Sequence, residues 1–346
     1  MRRVTTAAMI GAALLLAGCS SSSSSSSSTS TANSSTGASA PVTVRLGLLS
    51  NITHASALVA LKEGFFTKAL GPAGTLKATA FSAGTEETTA ILSGQLDAAY
   101  VGPNPAINAW QKSNGTAIKI VSGAATGGAS VVVKQGITST AQLKGKSLAT
   151  PSLGNTQDVA LRYWLKQNGV TTNTTGGGDA FVKPTKPNSA AVLQFKSGQI
   201  AGGSEPAPYD IQMVQGGGTV LLSEPGVTTL LVVTQSFLSA HPAIVADLVK
   251  AQVQANAFIK SNPAQAQADA NAELASYTGK PLKPAIVAAS FKEITFTNDP
   301  DAASLKTDAD QAVSLGLLKP VNLSGIYELG PLNQALAAAG EAQVAG

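Results

Sequence analysis

The stretch from Phe81 to Pro105 constrains the fold of this 346-residue chain most, because a later stretch repeats its ending. It predicts a strand end, a turn, a helix, a second strand and a loop that carries Pro103 and Pro105. Further on, SGQIAGGSEPAP from Ser197 to Pro208 echoes SGQLDAAYVGPNP from Ser93. The echo predicts two similar α/β lobes that face each other across a cleft, where helix N-termini offer free N–H groups to a small ligand.

The first nineteen residues have the pattern of a targeting segment. Arg2 and Arg3 give a charged start, and Val4 to Leu16 is an apolar run too short for a good membrane span. Leu16-Ala17-Gly18-Cys19 then resembles the lipobox of bacterial lipoproteins, in which the cysteine is lipidated, with palmitate, and becomes the new N-terminus after cleavage. We therefore expect a signal peptide over residues 1–19 and a mature protein anchored by Cys19 to the outer face of the cell membrane.

The rest of the chain predicts a tether followed by two lobes. Residues 20–41 are almost all small or polar, so they cannot bury apolar surface and are expected to be a disordered tether. The Gly/Ala/Thr-rich run 123–130 and the Pro225-Gly226 pair suit two crossings between lobes. We expect lobe 1 over residues 42–123 and 225–346, and lobe 2 over residues 124–224.

Composition argues against several classes of function. The formal charge of +4 falls by two when Arg2 and Arg3 leave, and no Lys/Arg run follows, so a nucleic-acid partner is not expected. One cysteine and two separated histidines cannot supply the ligands of a metal site. Neither G-x-S-x-G nor a Walker loop occurs. We expect no catalytic residues, no metal and no cofactor, and therefore no enzyme.

Four ordered motifs carry a family resemblance: ALVALKEGFF, TAILSGQLDAAYVG, QLKGKSLATPSLGNTQDVALRYWLKQNGV and FTNDP. They resemble the sulfonate/nitrate/taurine class of ABC-transporter substrate-binding proteins, SsuA/TauA-like lipoproteins with an NMT1/THI5-like domain. The resemblance implies a two-lobe, periplasmic-binding-protein-like (type II) α/β fold with two interlobe crossovers. It also implies a monomer that captures a small solute, an aliphatic sulfonate or related oxyanion, and delivers it to an ABC permease and its ATPase.

The second lobe departs from this family in one loop. Its relatives resemble D-G-A-W-V-P-E-P-W where this chain has AGGSEPAPY from Ala201 to Tyr209, so both tryptophans are replaced and the acidic residue is shifted or lost. Two other functions stay open: an enzyme on the same fold, similar to pyrimidine-precursor synthases, and a sensor that presents its solute to a membrane receptor.

The candidate ligand residues follow from strand ends and helix starts. Neither Arg45, inside a strand, nor Arg162, inside a helix, suits a bidentate anion clamp, so we expect backbone N–H groups to hold the anion, completed by hydroxyls and amides. Several candidates have equally good structural explanations: helix capping for threonines and Asn155, turn formation for the other asparagines, a surface position for His54 and loop packing for Tyr209. The expected ligand residues are Asn51, His54, Gly84, Thr85, Pro103, Asn104, Ser152, Gly154, Asn155, Thr156, Asn188 and Tyr209.

Overall fold

Two separate β-sheets, each covered by helices, make up the computed structural model, which describes residues 40–346. The predicted signal peptide, the lipidated Cys19 and nearly all of the predicted tether lie outside the described residues. No helix of residues 40–346 combines the length and the apolar character that a membrane span requires. The mixed α/β architecture with two sheets is the two-lobe type II fold expected from the sequence.

The larger sheet has six strands in the order β11-β4-β10-β3-β1-β2. Its strands β1, β2 and β3 are parallel, whereas β10 runs antiparallel to β3 and β4, and β11 antiparallel to β4. The inner strands β3, β4 and β10 are almost entirely buried, as in a sheet covered on both faces, whereas alternate residues of the edge strand β2 are exposed. The strands are β1 Val42–Leu49, β2 Gly74–Phe81, β3 Ala98–Val101, β4 Ile118–Gly127, β10 Val227–Thr234 and β11 Ile294–Phe296.

The smaller sheet has five strands in the order β7-β6-β8-β5-β9. Its strand β6 is parallel to β7 and β8, and β5 is antiparallel to β8 and β9. The two echoed sequences therefore form corresponding strands, since β3 and β8 each lie inside a sheet and each follow a helix. The strands are β5 Ala129–Lys134, β6 Ser147–Thr150, β7 Phe181–Pro184, β8 Gly202–Pro206 and β9 Gly218–Ser223.

The helices cover both faces of both sheets, and each sheet with its helices forms one half of the structure. Four buried hydrophobic clusters lie between helices and strands, two in each half. From Pro242 onward the chain is mainly helical, and Pro242 and Pro263 each begin a helix, where a proline costs no backbone hydrogen bond. The helices are α1 Ala55–Lys62, α2 Phe65–Leu70, α3 Gly84–Leu92, α4 Pro103–Lys112, α5 Thr156–Gln167, α6 Asn188–Lys196, α7 Tyr209–Gln215, α8 Gln235–Ala240, α9 Pro242–Ser261, α10 Pro263–Thr278, α11 Pro284–Glu293, α12 Ala302–Ser314 and α13 Gly330–Ala338.

The chain passes between the sheets twice. Between β4 and β5 a single residue, Gly128, connects the sheets with a φ of 74°, and a Cβ there would lie 2.4 Å from Cγ1 of Ile294. Both the left-handed backbone and the lack of space require glycine. The return passage is the segment 224–226 between β9 and β10. Two such short passages are the places where the halves can rotate relative to one another.

Two segments that were predicted as loops are regular structure. Pro103 begins α4, because a helix tolerates proline in its first turn, where the N–H would have no partner. The segment from Ser204 to Tyr209, also expected to be a loop, ends β8 and begins α7. Strand β8 fits between two neighbours because Gly202 and Gly203 are small: a Cβ on either would lie within 2.5 Å of a neighbouring carbonyl oxygen.

Candidate functional site

A small cavity, here the cleft cavity, lies between the two halves at the carboxyl ends of strands from both sheets. Its volume is about 20 Å³, room for about one water molecule. Six residues predicted from the sequence line it, namely Asn51, His54, Gly84, Asn155, Thr156 and Asn188. The other lining residues are Leu49, Thr53, Ser82, Ala83, Gly102, Pro105, Pro151, Gln157, Pro206 and Thr228.

Three helix N-termini meet at the cleft cavity. Gly84 is the first residue of α3, Thr156 of α5 and Asn188 of α6, and all three line the cavity. The first N–H groups of a helix have no partner within the helix, and the helix dipole makes this end positive. None of the described residues that line the cavity is a lysine or arginine. Positive potential here therefore comes from backbone dipoles.

His54 contributes a neutral donor. It is almost completely buried, and its Nδ1 accepts a hydrogen bond from the Leu49 N–H at 3.2 Å. Burial lowers the pKa of His54 to about 3, so the ring is neutral at physiological pH. Because Nδ1 is the acceptor, the proton of the neutral ring lies on Nε2, which can donate to a ligand.

The Thr156 hydroxyl is oriented across the cleft. Its Oγ1 is buried and has no hydrogen-bond partner within residues 40–346, and a Cβ added to Gly102 in the other half would lie only 2.7 Å from it. Buried polar atoms without partners are rare in proteins. This hydroxyl is thus available to a ligand in the cleft cavity.

The asparagines that line the cavity also have structural roles. Asn51 Oδ1 accepts from the N–H and Oγ1 of Thr53, at 3.0 and 2.7 Å. Asn155 caps α5, because its Oδ1 accepts from the N–H of Asp158 while its Nδ2 donates to Gln157. Both side chains are therefore fixed in position by the helix starts beside the cavity.

Three other predicted residues lie in a neighbouring pocket of about 190 Å³, lined by Thr85, Asn104 and Gly154. Thr85 Oγ1 contacts Ser152 Oγ across the cleft at 3.2 Å. Asn104 is directed away from the cleft cavity, since its Nδ2 donates to the carbonyl of Asp308. The prediction of a free N–H at Gly154 is wrong, because this N–H donates a hydrogen bond to Asp158 Oδ2 at 2.9 Å.

The three remaining predicted residues, Pro103, Ser152 and Tyr209, line neither of these two cavities. Pro103 is buried in the first turn of α4. Tyr209 joins the halves, because its hydroxyl donates to the carbonyl of Ser50 at 2.9 Å. Further contacts between the halves are the Lys186–Glu86 ion pair at 2.7 Å and the bond from the Ile52 N–H to the carbonyl of Ala207 at 2.9 Å.

Sequence reasoning missed four polar lining residues: Thr53, Ser82, Gln157 and Thr228. The first three lie within two residues of predicted ones, so a wider window around each helix start would have included them. Thr228 gave no such signal, since it follows the return passage and reaches the cleft only because β10 lies beside β3.

Both arginines make contacts within their own halves. Arg45 pairs with Asp97 through two side-chain hydrogen bonds of 2.5 and 2.9 Å. Arg162 is buried and contacts Asp158 Oδ2 at 2.9 Å, the carbonyl of Asn173 at 2.7 Å and that of Val182 at 3.2 Å. Neither arginine lines the cleft cavity.

The acidic pair at the start of α3 is divided between two environments. Glu86 forms the ion pair with Lys186, whereas Glu87 is fully buried against Gly47. Neither carboxyl oxygen of Glu87 has a partner in the described part of the chain, and burial raises its pKa well above the usual range. Burial therefore favours the neutral form of the Glu87 carboxyl.

Within residues 40–346, no group of three or more His, Cys, Asp or Glu side chains is arranged to hold a metal ion. The site thus consists of backbone N–H groups, hydroxyls, amides and one neutral imidazole. Such donors suit a small polar solute with several acceptor oxygens.

Solved structures with this fold include several solute-binding proteins. The nitrate-binding protein NrtA of Synechocystis PCC 6803 superposes with a TM-score of 0.73 at 16% identity, covering 86% of this chain and 89% of that one. The alkanesulfonate-binding protein SsuA of Xanthomonas axonopodis pv. citri, bound to MOPS, gives 0.69 at 19% identity, covering 84% and 99%. The zinc-bound ligand-binding component of an ABC-type import system from Staphylococcus aureus gives 0.70 at 14% identity, covering 85% and 99%.

No curated protein matches the chain significantly in sequence. At these identities the solved structures show a common fold. The model of the NMT1-like family matches residues 37–276, which is more than half of the chain. The order of motifs in the sequence, the two-sheet architecture and this match agree, and the chain belongs to the NMT1-like family.

Proposed function

We propose that this protein is the solute-binding component of an ABC importer and that it captures an aliphatic sulfonate or a related small oxyanion between its two lobes. The observation that supports this most is the meeting of three helix N-termini at one cavity whose described lining contains no lysine or arginine. The relatives that bind nitrate or alkanesulfonate on the same fold support the same class of solute.

An oxyanion suits this cavity because each of its oxygens accepts hydrogen bonds. Each helix N-terminus carries roughly half a positive charge, so three of them stabilise one negative charge without a salt bridge. The Nε2–H of His54, the hydroxyl of Thr156 and the amide of Asn188 complete the set of donors. Binding a solute in this way requires no turnover, and we propose a binding protein without catalysis.

Capture requires the lobes to separate. A cavity of about 20 Å³ is too small for a sulfonate group, so the solute enters an open form. Rotation at Gly128 and at the segment 224–226 provides that opening. Closure then surrounds the solute, and the permease distinguishes the closed form from the open one.

Attachment to the membrane is a separate part of the proposal and rests on the sequence from Leu16 to Cys19 and on the serine-rich segment after it. Lipid on Cys19 would hold a monomer beside the permease and its ATPase at the outer face of the membrane. Cys19→Ser should release the protein from the membrane fraction; persistent membrane association of that variant would contradict the lipid anchor.

Thermal unfolding with a panel of sulfonates, taurine and nitrate tests the solute class. A ligand that binds only the folded state raises the melting temperature, by an amount set by its concentration relative to Kd. Thr156→Ala should reduce the shift, whereas the exposed Thr67→Ala on α2 is the matched control and should not. The proposal fails if no anion stabilises the protein or if both variants lose the shift equally.

A further inference from the structure

A second cavity, here the side pocket, lies between α5 of one half and α12 of the other. Its volume is about 390 Å³, within the range of pockets that hold small organic ligands. It shares Thr156 and Thr228 with the cleft cavity, and its far wall is the return passage around Pro225. The proposed oxyanion site leaves this larger space unexplained.

Two acidic residues line the side pocket, and each has one buried carboxyl oxygen without a partner among the described residues. Glu224 is only 9% exposed; its Oε1 accepts from the hydroxyl of Ser204, and its Oε2 is buried without a partner among the described residues. Asp308 on α12 likewise has a buried Oδ2 for which residues 40–346 offer no partner. A buried carboxylate is costly unless a cation or several donors accompany it.

The walls supply no such cation. Among the described residues that line the side pocket there is no lysine, arginine or histidine. The lining is mainly apolar, with Leu222, Pro225 and Val227 on one side and the aromatic rings of Tyr163 and Trp164 on α5. Aromatic rings attract cations through their faces, so acids and rings together favour a positively charged organic group.

A bare metal ion suits the side pocket poorly. Calcium takes six to eight oxygen ligands, and magnesium requires near-octahedral coordination. The side pocket offers two carboxyl groups in an apolar surrounding, and no metal-binding group of three acidic, histidine or cysteine side chains occurs in the described chain. Its volume also exceeds what an ion needs.

We propose that the side pocket binds an organic cation, a quaternary or protonated amine, with Glu224 and Asp308 as its counter-charges and Tyr163 and Trp164 beside it. The site is distinct from the cleft cavity and does not depend on the oxyanion proposal. Because its walls come from both halves, a bound cation also bridges α5 and α12 and favours the closed arrangement.

Cation binding at this site depends on pH. Burial raises the pKa of Glu224 to about 7, so this acid is largely protonated below neutrality, and burial raises the pKa of Asp308 as well. A cation binds the ionised forms, and affinity should increase as the pH rises through about 7. Four other acids lie near these two. Glu205 of β8 and Asp210 of α7 face Glu224, Glu293 of α11 lines a cavity together with Glu224, and Asp301 before α12 faces Asp308.

Choline tests the proposal, with 3,3-dimethyl-1-butanol as its uncharged carbon analogue. Thermal unfolding of the purified protein at alkaline pH and constant ionic strength should show a rise in melting temperature with choline and none with the analogue at the same concentration. Equal shifts from both compounds would show a merely apolar pocket and overturn the proposal. So would an equal shift from calcium chloride, or no shift from choline up to roughly tens of millimolar.

Two variants on α12 test the role of the Asp308 carboxyl, with Asp308→Asn as the test and Asp310→Asn as its control. Asp308→Asn keeps the size of the side chain and removes a buried charge, so it should fold and should bind choline at least tenfold more weakly. Asp310→Asn, whose acid is exposed and paired with Lys306, should bind choline like the wild type. Both variants should keep the response to oxyanions, which separates this site from the cleft. Equal binding of choline by Asp308→Asn and wild type would overturn the proposal.

Discussion

A methyl group added at Gly102 is expected to hinder closure of the lobes. Gly102 precedes α4 in the half built on the larger sheet, and its new Cβ would lie 2.7 Å from Thr156 Oγ1 in the other half. The next atoms, the Thr228 carbonyl oxygen and Pro105 Cδ, lie at ordinary contact distances of 3.6 and 3.7 Å. With φ at −69° and ψ at 160°, alanine fits this backbone, so the clash arises only when the halves meet.

The cost of this contact can be worked out approximately. Overpacking of a close-packed site costs about 1–3 kcal/mol, and every 1.4 kcal/mol changes affinity tenfold, so Gly102→Ala should weaken solute binding by roughly 5- to 150-fold. The open form does not contain the clash. Stability in urea should therefore fall by no more than about 1 kcal/mol, since alanine is a poorer N-cap residue than glycine.

Isothermal titration with a solute that stabilises the wild type, applied to a double-mutant cycle, measures the effect. Thr156→Ala removes the clashing Oγ1, so Gly102→Ala should cost less affinity in that background than in the wild type. Gly330→Ala is the control, because its nearest neighbour, Oε1 of Glu328 at 3.1 Å, is the end of a flexible side chain. Unchanged affinity of Gly102→Ala, or the same loss in both backgrounds, would refute closure at this contact.

Three further predictions concern charged groups. Arg45→Lys and Arg162→Lys should each keep the affinity for the oxyanion within about twofold of the wild type. A large loss of affinity in either variant would refute anion binding by backbone amides. Arg162→Lys should nevertheless lower the free energy of unfolding in urea by about 1–3 kcal/mol, because lysine cannot replace the three buried contacts of the guanidinium. Burial raises the pKa of Glu224 from 4.5 to about 7, so the stability that the protonated Glu224 contributes is lost as the pH rises through that range. The free energy of unfolding of Glu224→Gln relative to the wild type should therefore increase with pH. A difference between the two proteins that stays constant with pH would contradict this. His54, whose pKa burial lowers to about 3, stays neutral, so affinity for the oxyanion should be flat between about pH 5 and 8, and a tenfold gain on acidification would indicate an imidazolium.

Local chemistry made several elements of the fold predictable. The pattern from Phe81 to Pro105 predicted a helix and a second strand, which are α3 and β3. Pro103 gave a misleading signal, because proline is equally typical of a loop and of a first helical turn, and only its packing beside α12 and the cleft decides between them.

Side-chain direction at the site was less predictable, because it depends on contacts between distant segments. Asn104 is directed away from the cleft cavity by the carbonyl of Asp308, which is 204 residues later in the chain. Asp308 and Glu224 meet in one pocket only after α12 packs beside the return passage. His54, which could have been a surface histidine, is buried because the turn after β1 packs against β4 and β10.

The central claim is that the cleft binds an oxyanion through helix N-termini. Isothermal titration of the purified protein with ethanesulfonate and with ethyl methyl sulfone tests it most directly, because the two have similar shapes and only the sulfonate carries a charge. The account predicts saturable binding of ethanesulfonate and at least tenfold weaker binding of the sulfone. Equal binding of the two compounds would contradict it. So would a protein that binds neither compound but binds an uncharged solute in the same cleft.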